Sequence, residues 1–303
     1  MIALSAGDAF AIASAVSFAG SGVAIARGQR PGVDDNGAFT SLLVTTAIAG
    51  GTWMALGIAR GFAPVTWPAL LWFAGAGVLT AYVGRVAYYA TVQRLGAMRA
   101  TTLQRLNPFF AVVTGVIVLH ESIAGRMGVG LALIIASFAV LVLAARGREG
   151  APLRRLAAVE RMGYITGVVS ALGYSTGYLL RKMGLAQAHD AFLGAAVGCA
   201  VGAVLFAATA AFNARYAAAV RGTLRHPNPW FIAAGALSSS GQVLYFAALN
   251  ELPMSRVALI VSMEVFVTLF LGYAFLRRRE RLTPGLVAAA ILGVAGTAFI
   301  VGT

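Results

Sequence analysis

The chain has 303 residues, of which 59% are hydrophobic and 11% charged, and its mean hydropathy is +0.83. This composition excludes a soluble globular domain and indicates a polytopic membrane protein. The formal net charge of +13 would suggest a nucleic-acid partner in a soluble protein. Here the arginines collect at the ends of apolar runs, where they report orientation in a membrane, so we expect no nucleic-acid partner.

Long apolar runs separated by short polar breaks predict ten membrane-spanning helices, because about 20 apolar residues are needed to cross the hydrocarbon. The first run has no basic segment before it and is too long for the core of a signal peptide, so we interpret it as a retained helix. The predicted helices lie at 6–27, 36–59, 67–92, 97–119, 124–145, 162–185, 190–212, 229–250, 254–276 and 283–302.

The distribution of basic residues predicts the orientation of these helices. Most arginines fall on the side of the bundle that holds the linker 146–161, and few fall on the other side: Arg60, Arg126, Arg181, Lys182 and Arg256. The positive-inside rule therefore predicts a cytoplasmic linker and periplasmic termini. The preference for arginine over lysine and the abundance of Ala and Gly indicate a GC-rich bacterial genome, so the expected location is a bacterial inner membrane.

The segment 84–115 is repeated at 241–272 with no change of length. A weaker match of the same kind aligns Ser14-Ala15, Phe18 and Gly22 with Ser170-Ala171, Tyr174 and Gly177. These matches indicate an internal duplication. The identities in the stronger pair are Gly84/Gly241, Val86/Val243, Tyr88/Tyr245, Ala90/Ala247, Leu95/Leu252, Arg99/Arg256, Phe109/Phe266 and Gly115/Gly272.

The linker divides five predicted helices from five, which gives a first repeat at 1–145 and a second at 162–303. Because five is an odd number, the second repeat enters the membrane from the opposite side. The halves are then related by a pseudo-two-fold axis in the membrane plane. The expected fold is an all-α membrane protein of two five-helix inverted repeats.

The stretch from Leu106-Asn107-Pro108 through Gly115 to Leu119-His120-Glu121 resembles the end of a repeat in the drug/metabolite transporter superfamily, ten-helix EamA type. The second copy departs from that pattern, since Glu264 and Val265 stand where Asn107 and Pro108 would fall. The resemblance implies a transporter of small molecules. It is closest to bacterial exporters of amino acids, aromatic ones especially.

Three charged residues lie at membrane depth, where each costs roughly 2.5–3.5 kcal/mol and needs a partner. They are Arg85, Arg105 and Glu264. In one interpretation Glu264 and an arginine bind the ammonium and carboxylate of a zwitterion, or Glu264 carries a coupling proton. In the other, an Arg–Glu pair only fixes helix packing.

Polar and aromatic residues on the same helices complete a candidate substrate site. Tyr82, Arg85 and Tyr89 are spaced i, i+3 and i+7, which places them on one face of a helix. A mostly apolar pocket with a few fixed polar groups suits an amino acid with a large side chain. The candidate substrate-binding residues are Tyr82, Arg85, Tyr89, Arg105, Asn107, Tyr174, Tyr178, Gln242, Tyr245 and Glu264.

Other site types are not expected. Cys199 is the only cysteine, the three histidines fall at helix ends or in loops, and no nucleotide-binding motif appears, so we expect no cofactor, no metal and no enzyme activity. Gly194, Gly198 and Gly202 form a small-residue ridge that we assign to packing inside the bundle of a monomer or weak dimer. The expected function is export of small metabolites, amino acids foremost, by alternating access around a central cavity. A flippase of lipids or lipid-linked sugars is the alternative.

Overall fold

The computed structural model describes most of the chain as helix, and within this part no strand occurs. All ten candidate site residues lie in it. Pro108 and the predicted helix end at 114–124 lie outside it, as do 252–256 and the segment 147–152 of the linker. The described residues are 5–30, 35–62, 64–107, 109–110, 113, 125–146, 153–188, 190–251, 257, 260–276 and 282–301.

Eleven helices are assigned here in chain order. They are α1 (Ala6–Gly28), α2 (Ala38–Arg60), α3 (Trp67–Leu95), α4 (Ala97–Leu103, continued by a 3₁₀ turn at Gln104–Leu106), α5 (Gly125–Arg146), α6 (Leu153–Ala188), α7 (Ala191–Ala210), α8 (Ala214–Arg225), α9 (Pro229–Glu251), α10 (Glu264–Leu276) and α11 (Pro284–Val301). Four of them, α1, α2, α3 and α7, are long and apolar enough to cross a membrane, and shorter apolar helices accompany them within α5, α10 and α11.

Local chemistry explains several helix boundaries. Ser5 and Asp8 form a capping box at the start of α1, in which the Asp8 backbone N–H donates to Ser5 Oγ and the Ser5 backbone N–H donates to the Asp8 carboxylate. Gly96 alone separates α3 from α4, and its φ of +86° is a conformation that favours glycine. This tight break sets the start of α4 directly against the end of α3.

Two features differ from the sequence-based prediction. The linker was predicted as a hinge from 146 to 161, but α6 already begins at Leu153, because leucine, alanine, arginine and glutamate there are all good helix formers. The short helix α8 was not predicted at all. It buries Ala219 and Thr223 and exposes arginines on its other face, and Thr223 hydrogen bonds Thr40 of α2 at 2.9 Å.

The helices pack in pairs that repeat between the two halves. If α1 to α5 correspond to α6, α7, α9, α10 and α11, the contact of α1 with α9 has its counterpart in α3 with α6. The contacts of α2 with α9 and of α1 with α10 likewise recur as α3 with α7 and α4 with α6. The pairs α2–α7, α4–α10 and α5–α11 are their own counterparts. The predicted two-repeat, all-helical membrane fold is confirmed.

Individual atoms follow the same pattern. Ser14 Oγ donates to the Gly241 carbonyl at 2.8 Å, and its counterpart Ser170 Oγ donates to the Gly84 carbonyl at 2.8 Å. A Cβ at Gly241 would meet the ring of Phe18, and a Cβ at Gly84 would meet the ring of Tyr174. Each glycine therefore lets the equivalent ring of the other half approach its helix.

The hydrophobic core has two main parts. One lies around α1, α2, α3 and α7, and the other lies among α4, α5, α10 and α11. In the first part α3 and α7 approach so closely that a Cβ at Gly77 would stand 2.5 Å from Gly198 Cα. Gly194 and Gly202 face Phe73 and Ala81 of α3. The prediction that the glycine ridge packs inside the bundle is confirmed.

Candidate functional site

Arg85 is 4% exposed and follows a π-helical stretch of α3, Val78–Gly84. Its Nη1 donates to the carbonyl and hydroxyl oxygens of Ser41, both at 3.2 Å, and to Thr45 Oγ1 at 2.8 Å. Ser239 of α9 donates in turn to Thr45 Oγ1 at 3.0 Å. The guanidinium is thus held by neutral groups of α2, which α9 supports.

The π-helical stretch also explains why Tyr82 does not join Arg85. A π-helical turn takes in an extra residue, so side chains on either side of it no longer share a face as they would in an α-helix. The Tyr82 hydroxyl lies 2.6 Å from Thr209 Oγ1 of α7, whereas Arg85 reaches α2. The spacing that placed Tyr82, Arg85 and Tyr89 on one face assumed an uninterrupted α-helix.

Two tyrosines flank Arg85. Tyr174 of α6 interacts with the guanidinium through its hydroxyl and stacks on Tyr178, with ring centroids 5.9 Å apart. Tyr89 is buried, and its hydroxyl lies near Arg85 without a well-aligned hydrogen bond to any described residue. Aromatic rings on both sides give the surroundings of Arg85 an apolar wall with polar edges.

Arg105 and Glu264 form a buried ion pair. Arg105 Nη2 lies 3.3 Å from Glu264 Oε2, the two side chains are 11% and 12% exposed, and Arg105 Nη1 also donates to the Ser262 carbonyl at 3.2 Å. At the 157-residue offset that relates Gly84 to Gly241, Ser262 is the counterpart of Arg105 and Glu264 that of Asn107. The pair therefore joins positions that lie two residues apart when the repeats are aligned.

Arg181 is a third buried arginine, and the sequence analysis did not place it in the site. We had assigned it to the ends of helices on the periplasmic side because the predicted helix stopped at 185. In the structure α6 continues to Ala188, so Arg181 lies within the helix, is 7% exposed, and donates to Gln242 Oε1 of α9 at 3.4 Å. Its position inside a predicted membrane-spanning helix was the signal that could have identified it, although the adjacent Lys182 gives the pair the look of a helix end.

Tyr178 links these groups. Four charged side chains lie within electrostatic range of its hydroxyl: Arg85, Arg105, Arg181 and Glu264. Yet 45% of the surface of Tyr178 is exposed. The ring is thus nearly half exposed although it lies close to charged side chains of several helices. We call these five residues together with Tyr174 the central polar cluster.

The remaining predicted residues lie around this cluster or apart from it. Tyr245 packs against Ala11 and Val257 and lies within electrostatic range of Tyr178. Asn107 is half-buried, and its Oδ1 makes no hydrogen bond to a described residue. The gap beside Arg105 between α4 and α5 is too narrow to hold a water molecule, so a solute cannot reach Arg105 from that side.

Chemically, the cluster offers guanidinium donors, one carboxylate and aromatic faces. Among the described residues no group of three or more His, Cys, Asp or Glu side chains is placed to hold a metal ion. Guanidinium groups are suited to bind carboxylate or phosphate with paired hydrogen bonds. The chemistry of these groups is therefore suited to binding a charged solute.

Comparison with known proteins agrees with the two-repeat fold. A solved structure titled only "Crystal structure of protein" is 18% identical, with a TM-score of 0.53 over 98% of each chain, a likeness that supports the fold alone. No curated protein matches the chain. The EamA-like transporter family matches twice, over residues 5–143 and 161–302. The two matches cover the two halves and nearly all of the chain, so the protein belongs to the EamA-like transporter family.

Proposed function

We propose that this membrane transporter is a secondary exporter of small metabolites, amino acids with aromatic or other large neutral side chains foremost. The observation that carries the proposal is the position of Tyr178, which is nearly half exposed and within electrostatic range of several buried charges. Polar groups at membrane depth are costly and usually face a substrate path. An aromatic surface beside guanidinium groups suits a carboxylate attached to an apolar body.

The proposed mechanism is alternating access. The cluster draws on α3 and α4 from one half and on α6 and α10 from the other. Because the same helix contacts occur twice in inverted order, the two halves can exchange conformations by rocking, which would open the cluster first to one side and then to the other. The proposed units are 1–145 and 162–303, joined by a basic cytoplasmic linker at 146–161, in a bacterial inner membrane.

Glu264 has two possible roles in this mechanism. Glu264 could bind the ammonium group of an amino acid after its ion pair with Arg105 breaks. Alternatively, Glu264 could carry a coupling proton. Both roles require the 3.3 Å contact with Arg105 to open during the cycle. If Glu264 served only to neutralise Arg105, the ion pair would instead hold α4 and α10 together in every conformation of the transport cycle.

Counterflow in proteoliposomes tests the proposal. Vesicles are loaded with unlabelled phenylalanine, threonine or a lipid-linked sugar analogue, and entry of the labelled compound is followed with wild type and Glu264→Gln. Exchange of an amino acid by wild type would support the substrate class. Loss of that exchange in a correctly folded Glu264→Gln variant would support a role for Glu264. Wild-type exchange by the variant would remove that role. Exchange of the lipid-linked sugar alone would favour a flippase.

A further inference from the structure

Arg85 differs from Arg105, a second buried arginine of its repeat, in the groups that bind it. The hydrogen-bond partners of Arg85 are the neutral Ser41 and Thr45, and no carboxylate among the described residues lies within 4 Å of it. A buried charge without a counter-charge is costly even when it is hydrogen-bonded. Arg105, in contrast, is neutralised by Glu264 at 3.3 Å.

Helix packing does not require an arginine at this position. The counterpart of Arg85 in the second repeat is Gln242, a neutral residue in an equivalent place on α9. The surrounding contacts are conserved between the halves, as the bonds of Ser14 to Gly241 and of Ser170 to Gly84 show. The shared backbone contacts are therefore built once with a cation at this position and once with a neutral side chain, which accepts from Arg181 of the neighbouring helix. These contacts do not depend on a charge at position 85, so we infer that the charge serves a purpose other than packing.

The well-aligned hydrogen bonds of the Arg85 guanidinium to described residues all come from one of its three nitrogens. Nη1 makes all three of its well-aligned hydrogen bonds to described residues. The other edge, Nε and Nη2, is the one that binds a carboxylate through two parallel hydrogen bonds. The hydroxyl of Tyr174 lies near the guanidinium, and its ring stacks with that of Tyr178, which is nearly half exposed.

We propose that Arg85 is the anion receptor of the transport site and that the transported molecule is an aromatic organic acid with net negative charge, which needs no ammonium group. This inference rests on the proposed export of small metabolites and replaces amino acids by anionic aromatic acids as its substrate class. The carboxylate pairs with Arg85 and the apolar body lies against Tyr174 and Tyr178. With no ammonium group to bind, Glu264 keeps only the role of carrying a coupling proton or of holding α4 and α10 together. The ligand thus supplies the counter-charge that the protein lacks.

Phenylalanine and phenylpyruvate provide a matched pair of probes, since they share the ring and carboxylate and differ in the ammonium group. Counterflow with the full chain in proteoliposomes should exchange phenylpyruvate at least ten-fold faster than phenylalanine. Arg85→Gln should lower phenylpyruvate exchange at least ten-fold. Arg85→Lys, which keeps the charge and lacks the planar fork, should lie between. Arg99→Gln, at the half-exposed pair with Glu160, is the matched control and should exchange as wild type does.

Folding is checked separately by thermal melting in detergent, where phenylpyruvate should raise the melting temperature of wild type and not that of Arg85→Gln. If Arg85→Gln does not fold, Arg85→Lys is used in its place. The proposal would be overturned if Arg85→Lys exchanged phenylpyruvate as fast as wild type and if phenylpyruvate and phenylalanine were exchanged at equal rates. Exchange of phenylalanine in preference to phenylpyruvate would overturn it and leave amino acid export standing. Exchange of only the lipid-linked sugar analogue would overturn both.

Discussion

The two repeats share their packing and differ in their chemistry. Ser14 and Ser170 make the same 2.8 Å hydrogen bond to a backbone carbonyl of the other half. At the positions that carry charge, however, Arg85 is matched by Gln242 and Arg105 by Ser262. Small and hydroxyl residues that let helices approach are kept in both copies. Each charged position, in contrast, has a neutral residue at its counterpart, and Glu264 of the second repeat likewise corresponds to Asn107 of the first. The scaffold is therefore two-fold, while the charges that the two halves contribute to the cluster are not related by that symmetry.

The largest expected effect comes from breaking the ion pair between the halves. Arg105→Gln leaves Glu264 buried without its counter-charge, which should cost about 3 kcal/mol or more of folding stability. Thermal and denaturant unfolding in detergent would measure it. Arg105→Gln combined with Glu264→Gln should recover at least half of that loss, because no charge is then stranded.

Arg85→Gln is the comparison variant for this measurement. Since Arg85 has no carboxylate partner to strand, its replacement should change stability by less than about 1 kcal/mol. Equal losses in Arg85→Gln and Arg105→Gln would contradict the distinction between the two arginines.

The next effect tests the closest contact of two helices. Gly77→Ala places a Cβ 2.5 Å from Gly198 Cα, and a backbone cannot move aside as a side chain can, so we expect a loss of about 1–3 kcal/mol. The matched change Gly198→Ala places its Cβ at 3.4 Å from Gly77 Cα and should cost clearly less. Melting temperatures of the two variants measure these losses. A larger loss in Gly198→Ala than in Gly77→Ala would mean that α3 and α7 pack differently.

A smaller effect tests the two-fold pattern itself. Ser14→Ala removes one buried hydrogen bond between the halves, whereas Ser170→Ala removes two, because Ser170 Oγ also accepts from Gln104 Nε2 at 3.1 Å. Such bonds in membrane bundles contribute about 0.6 kcal/mol on average, so Ser170→Ala should lose about 0.6 kcal/mol more stability than Ser14→Ala. Thermal unfolding in detergent measures both losses, and equal losses would show that only the bond common to the two halves contributes.

The smallest change in stability is expected in α8, where the halves differ at a place outside the central polar cluster. Helix α8 follows α7, whereas the described residues between α2 and α3 contain no helix. Arg221 is exposed on α8, so Arg221→Gln should change stability by no more than about 0.5 kcal/mol. In counterflow, an exchange rate of Arg221→Gln close to that of wild type would show that α8 does not contribute to transport. A large loss of exchange would show that it does.

Much of the fold could be predicted from sequence because its signals are local or repeated. Apolar runs of spanning length, the recurrence of 84–115 at 241–272 and the match of Ser14 with Ser170 all lie in the residue order itself. The amphipathic helix α8 was missed because it is short and because the search was for apolar spans. The helical part of the linker was missed because its charges resembled those of a loop.

For the site, the sequence by itself determined which groups are out of place in a membrane, and Arg85, Arg105 and Glu264 were identified on that ground. Only the tertiary structure decided their partners, since α4 meets α10 across more than 150 residues of chain and brings Arg105 to Glu264. It also brought Arg181 into the interior and, through a π-helical stretch, turned Tyr82 toward α7. The cost of burying a charge can be judged from a residue type and its depth, whereas the groups that offset this cost are set by helix packing.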